Sequence, residues 1–276
     1  MRRKMANTWT KAKLERYIKE GRGQGVGADY KPWTNTYQFS SKGRATRIYS
    51  PKTNRIHHLH SDNQYRAFLL FEFNSKVVDI RESFPLLDIF EVIDDKEDLR
   101  FDKFANKETK EPYVLTTNFL LTVKDIEGKE MYLARTIKNT TELKRKITFE
   151  KLEIERRYWL AKGVDWKVMT QKELPRQLAK NIEWVRETML EGSEEEFNKE
   201  ELSVIFLRFL LENDKLPLKE ALTLFDRIED LQKGSALYLF RYLIAKKEIT
   251  IDMTKKIDLS LTVNDLLKYD GDTHAN

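Results

Sequence analysis

Apolar positions change their spacing along the chain, and the change separates a mixed front part from a helical back part. Residues 9 to 20 predict a short helix, with Thr8 or Thr10 as N-cap and Gly21 as the stop. Ser61 caps a predicted helix over 62–74, whose Ala67, Phe68, Leu70 and Phe71 make a buried side. Val77 to Ile80 reads as a short strand, Phe84 to Leu87 as an extended turn, and the charge-rich stretch 88–112 as an elaborated loop. Two β-rich runs follow, Tyr113 to Val123 and Met131 to Lys138. Gly128 in the segment between them makes an antiparallel hairpin the natural reading. A long amphipathic helix over 141–162 ends at Gly163, and Asp165 to Thr170 predicts another strand. These elements describe a small mixed α/β core.

From residue 172 the pattern is mainly helical: 172–190, 200–212, 218–231, 234–247 and a last helix over 263–269. Ile249 to Met253 and Lys255 to Leu259 predict a two-stranded wing, so the back part reads as a winged-helix-like module. The expected domains are 1–172 and 173–276.

Composition narrows the class. The chain has 276 residues and no cysteine, which removes disulfides, thiolate zinc sites and cysteine nucleophiles. No apolar run of about 18 residues occurs, and no apolar segment follows the basic N-terminus, so neither a membrane span nor a secretory signal is expected. The expected location is inside the cell, in the cytoplasm. The net charge is +5, but residues 1–60 hold 14 Lys and Arg against 3 Asp and Glu, leaving the rest net negative. A basic front interleaved with Trp9, Tyr17, Tyr30, Trp33, Tyr37 and Tyr49 has the composition of a phosphate-contacting surface, or of a solvated basic face. Arg22, Arg44, Arg47, Lys52, Arg55, His57 and His58 are its candidate DNA contacts. The glycines of the loop Gly21 to Gly27 follow a helix rather than a strand, so a flexible basic loop is favoured over a nucleotide-binding one.

A nuclease of the restriction-endonuclease fold places one acid on a helix, a second on the first hairpin strand and a lysine on the second strand. The carboxylates hold Mg²⁺, and the lysine positions water and phosphate. The frame is present here as helix 62–74, strand 113–123 and Thr136-Ile137-Lys138, but the helix offers Gln64 and the strand Asn118.

The chain also carries a specific set of segments. They are Ile18 to Gly25, Asp29-Tyr30 with Pro32-Trp33, Arg47 to Ser50, and His57 to Leu59 with Ser61-Asp62. Further on come Asp79 to Glu82, Phe84 to Leu87, Glu150 to Glu153, Glu155 to Trp159 and Asn181 to Trp184. Together they resemble TnsA, the endonuclease subunit of heteromeric transposases of the Tn-seven type. The resemblance implies a restriction-endonuclease-like domain that nicks the 5′ strands at transposon ends in double-stranded DNA. It further implies two Mg²⁺ ions, a DDE transposase partner (TnsB) and an AAA+ regulator (TnsC). In its register the helix acid falls at Gln64, the strand Asp at Asn118, the catalytic lysine at Lys138, a further Glu at Glu155 and a metal-side Gln at Thr136. Both principal metal acids are therefore amides, which implies impaired cleavage. The alternative is a catalytically inactive subunit that organises the transposase complex through DNA and protein contacts.

Overall fold

The computed structural model describes residues 9–38, 44–190 and 198–267, and it divides into two compact units, 1–174 and 175–276. Arg2, Arg3, Lys4 and Lys42 of the basic front lie outside the described residues, as does Thr8.

Helix α1 spans Lys11–Lys19, and Thr10 is its N-cap, accepting from the Lys13 amide. The glycine loop that follows is part of the fold. Gly23 N–H donates to Lys31 O and Lys31 N–H to Gln24 O, while Gly27 N–H reaches the Asp79 carboxylate. Gly23 sits at φ +76°, and a Cβ there would lie 2.2 Å from Pro85 Cγ. Gly23→Ala is therefore expected to destabilise this unit by roughly 2–4 kcal/mol, combining left-handed backbone strain with overpacking. Denaturant unfolding of the variant measures it.

A hairpin that the apolar pattern does not announce comes next: β1, Thr46–Ser50, pairs antiparallel with β2, Arg55–Leu59. Asn54, at φ 52°, turns the corner. Helix α2, Asp62–Phe73, is capped by Ser61 as expected, although Leu69 rather than Leu70 completes the fully buried set with Ala67 and Phe68. The main sheet has the order β3-β4-β5-β6, formed by Val77–Pro85, Thr116–Lys124, Glu130–Ile137 and Asp165–Met169. The first three strands are antiparallel. β6 joins parallel to β5 after the crossover helix α4, Lys146–Ala161. Strand β3 is longer than the expected four residues because it runs on through Phe84-Pro85, paired to Thr117 and Thr116. Between β3 and β4 lies the short helix α3, Ile89–Val92.

The two faces of the sheet carry different cores. Phe119 meets Phe71 of α2 on one side. On the other, Leu120 and Ala134 pack with Ile154, Tyr158 and Trp159 of α4. Ser83, at φ 49°, breaks the alternation of β3. Glu82 consequently bonds into the β1–β2 hairpin while Phe84 stacks against Trp159 on the α4 side.

The second unit holds α5 (Arg176–Arg186), α6 (Lys199–Glu212), α7 (Leu218–Ile228), α8 (Ser235–Lys246) and the single turn α9 (Val263–Leu266). Helix α8 is central, with Leu239, Phe240 and Leu243 buried against α5, α6 and α7. The expected wing is not formed: residues 249–259 contain no strand. Ile249 and Ile251 are buried, and Asn181 Nδ2 takes the carbonyls of Met253 and Lys255 that a hairpin ladder would have used. The last expected residues of the final helix, 268 and 269, lie outside the described residues.

Candidate active site

The end of the β4–β5 hairpin nearest α4 gathers Asn118, Thr136, Lys138 and Glu155. Asn118 Oδ1 accepts the Ile137 amide at 2.7 Å, a side chain standing in the ladder just beyond the Phe119–Arg135 pair. Thr136, facing α4, donates its hydroxyl to Glu155 Oε2 at 2.5 Å and accepts from Trp166 Nε1 at 3.1 Å. Glu155 is fully buried and also accepts from Thr117 Oγ1 at 3.3 Å, while Thr117 is itself held by Trp159 Nε1. Lys151, one helical turn before Glu155, puts its Nζ 3.3 Å from Glu155 Oε1 and donates to Thr116 O. No role was assigned to Lys151 from sequence, although its i,i+4 spacing to Glu155 was a readable sign. Lys138 follows β5 directly, its backbone N–H bonded to Met169 O. Burial and the neighbouring Lys151 charge lower the Lys138 pKa, against the opposing pull of Glu155 and Glu142.

Gln64 is held separately. It is the third residue of α2, where its amide N–H donates to Ser61 Oγ and its Oε1 accepts the His60 N–H at 2.8 Å. This is a reciprocal helix cap, a Ser-x-x-Gln box displaced by one residue. His60 Nε2 in turn meets Thr34 Oγ1, which donates to Ser83 Oγ.

A two-Mg²⁺ centre needs several anionic oxygens. Glu155 supplies the one carboxylate among the five residues expected to form the site, and its oxygens already face Thr117, Thr136 and Lys151. The amide oxygens of Gln64 and Asn118 are neutral and each accepts a backbone N–H. Among the described residues no group of three or more His, Cys, Asp or Glu is placed to hold a metal. The side chains present do not fit such a centre.

Four of the seven expected DNA contacts are taken up within the fold. Arg55 and His57 are buried, and both bind Glu82: Arg55 through two bonds of 2.9 and 2.6 Å, His57 Nδ1 at 2.9 Å. Lys52 Nζ caps the carbonyls of Asn74 and Val77. Arg22 lies 3.6 Å above the Tyr17 ring and bonds to Glu20, Trp33 O and Gln38. These positive charges serve internal partners because folding brings a carboxylate, a ring or open carbonyls to each. His58 is half-buried, its ring beside Thr36 and Tyr37. Arg44 and Arg47 remain exposed.

No helix among the described residues is long and apolar enough to cross a membrane. A family model described as TnsA-like endonuclease N terminal matches residues 74–171, and one described as TnsA endonuclease C terminal matches residues 173–253. The first match begins after Gln64. Over 188 residues the chain is 40% identical to the transposon Tn7 transposition protein TnsA of Escherichia coli, covering 66% of this chain and 65% of that protein. The chain thus spans slightly less than two-thirds of the length of that relative.

Proposed function

Since the chain belongs to the TnsA-like endonuclease family, we propose that it is the nuclease-fold subunit of a heteromeric transposase acting on transposon-end DNA in the cytoplasm. Its proposed partners are a TnsB-like DDE transposase and a TnsC-like AAA+ regulator. The proposed task of the family-type site is Mg²⁺-dependent nicking of the 5′ strands. The residues proposed to stand at that site are Gln64, Asn118, Thr136, Lys138 and Glu155. The division of labour is proposed to follow the two units, the front one holding DNA and the helical one serving assembly.

One observation carries the reading. Asn118, Thr136, Lys138 and Glu155 converge at one hairpin end, as the proposed assignment requires, yet with a single carboxylate. What these side chains do without further charge is bind and orient. Lys138 is proposed to meet a backbone phosphate, Lys151 holds Glu155, and the Thr117–Glu155–Thr136 bonds brace α4 against the two strands. The front unit then grips duplex DNA while cleavage is impaired. The same scarcity of acids supports the second reading, an inactive organiser of the complex. Incubation with transposon-end DNA, the partner transposase and Mg²⁺ separates the two: slow nicking above a metal-free control supports an impaired enzyme, and none supports the organiser.

The exposed Arg44 and Arg47 supply a simpler check. In an Arg44→Gln, Arg47→Gln protein the slope of log affinity against log salt is expected to shrink by about 2, since each phosphate contact contributes about 0.9. The loss should be equal on unrelated duplexes. Titration at several salt concentrations measures it, and an unchanged slope returns these arginines to a solvated face.

A further inference from the structure

Beside α1 lies a cavity of about 320 Å³ that no step above uses, walled by the rings of Trp9, Tyr17, Trp33 and Tyr113. The first three are locked edge to face, with centroids 5.3 to 6.3 Å apart. Trp9 Nε1 already donates to Pro112 O, so its ring offers the cavity only an aromatic surface. Tyr113, 45% exposed, forms the outer wall and lies 6.3 Å from Trp9. Lys13 is the one charged residue in the lining, and no carboxylate accompanies it. Burial, and then the charges of Arg16 and Arg22, lower its pKa, and Lys13 is the positive group at the rim.

That chemistry selects its occupant. An aromatic cage built for a cation would carry acids and would not place a lysine at its mouth. Flat π-surfaces with a cation at the rim instead suit a planar ring attached to an anion, which is a nucleobase on its phosphate backbone.

The cavity's position adds a second argument. Thr116 lines it and lies two residues before Asn118 on β4, about 6.8 Å along the strand, or roughly two base-pair rises of DNA. Thr116 O also receives Lys151 Nζ. Thr34 also lines it and bonds His60, whose amide holds Gln64 Oε1. The cavity therefore abuts both amide positions of the candidate site. We infer that it receives one unpaired nucleobase from the DNA strand held there, a nucleotide or two from the phosphate at the hairpin end. This rests on the DNA-binding function proposed above. A base paired within a duplex cannot enter, so the ligand is locally unstacked DNA.

The full chain is titrated with a fluorescent duplex carrying a short run of unpaired thymines and with the same duplex fully paired. The chain should prefer the unpaired form. Tyr113→Ala should weaken binding of that form about tenfold, the loss typical of one stacked base, and leave the paired form unchanged. Photo-crosslinking of 5-iodouracil in the run to the unmutated protein should label Tyr113 or its ring neighbours. Equal affinity for both duplexes, or crosslinks confined to other segments, would overturn the pocket while leaving DNA binding intact. Binding of neither duplex would overturn the functional reading itself.

Discussion

The Gln64→Glu, Asn118→Asp protein is expected to nick transposon-end DNA in Mg²⁺ with its partner transposase at least on the order of a hundredfold faster than the chain as it stands, because fixed charge at a phosphoryl-transfer site is worth several kcal/mol. Both changes keep the side-chain shape. Glu at 64 can still accept the His60 amide, now as a charged acceptor in the first turn of α2, where the helix dipole favours it. Asp at 118 can still accept the Ile137 amide. The double variant should therefore fold as well as its parent, which melting curves check. Under the proposed assignment these two carboxylates and Glu155 make the kind of donor set a divalent cation requires. Adding Lys138→Ala should abolish the gained activity without changing the melting temperature. If the double variant binds Mg²⁺ no better and cuts no faster, the site has been placed on the wrong residues.

Arg55→Ala should produce the largest loss of stability in the front unit, about 3–5 kcal/mol, because it strands the Glu82 carboxylate in the interior. Glu82 is 1% exposed and receives Arg55, the His57 ring and the His58 amide, while Arg55 also donates to Ile80 O. The hairpin β1–β2 is thus pinned to β3 through one carboxylate. Burial alone would raise the Glu82 pKa, but the His57 charge and the His57 and Arg55 hydrogen bonds outweigh it and hold the group far below the usual carboxylate range. A depressed folded value gives the linkage its sign. The contribution is full above about pH 4.5, the ordinary value for glutamate, and declines as pH falls below it toward the folded value. Urea unfolding between pH 7 and pH 3 should show wild-type stability falling in that acid range. In Glu82→Gln the fall should be smaller and the starting stability lower. An Arg55→Ala protein as stable as its parent would reduce the cluster to a passive contact.

Much of the architecture rests on signals that act within a few residues, and the sequence determined these by itself. Thr10 and Ser61 cap α1 and α2 where expected, Gly128 at φ 80° turns the β4–β5 hairpin, and Gly163 at φ 66° ends α4. The α/β core, the helical back part and the frame around Asn118 and Lys138 follow from such local preferences together with helical and strand periodicity. Other features depend on which partner a side chain meets across tens of residues, and only the tertiary structure decided them. Arg55 and Arg47 look alike in a basic segment, yet Glu82, 27 residues from Arg55, draws one into the core and leaves the other in water. The wing at 249–259 has alternating apolar residues, but Asn181, more than 70 residues away, captures its carbonyls first. Glu155 lies in a charged stretch of α4, and only the crossover of that helix onto the sheet buries it beneath Thr136. Charge and hydrogen-bonding capacity are properties of a residue, but burial is a property of the packed chain, and burial fixes whether an ionised group faces solvent and DNA or an internal partner.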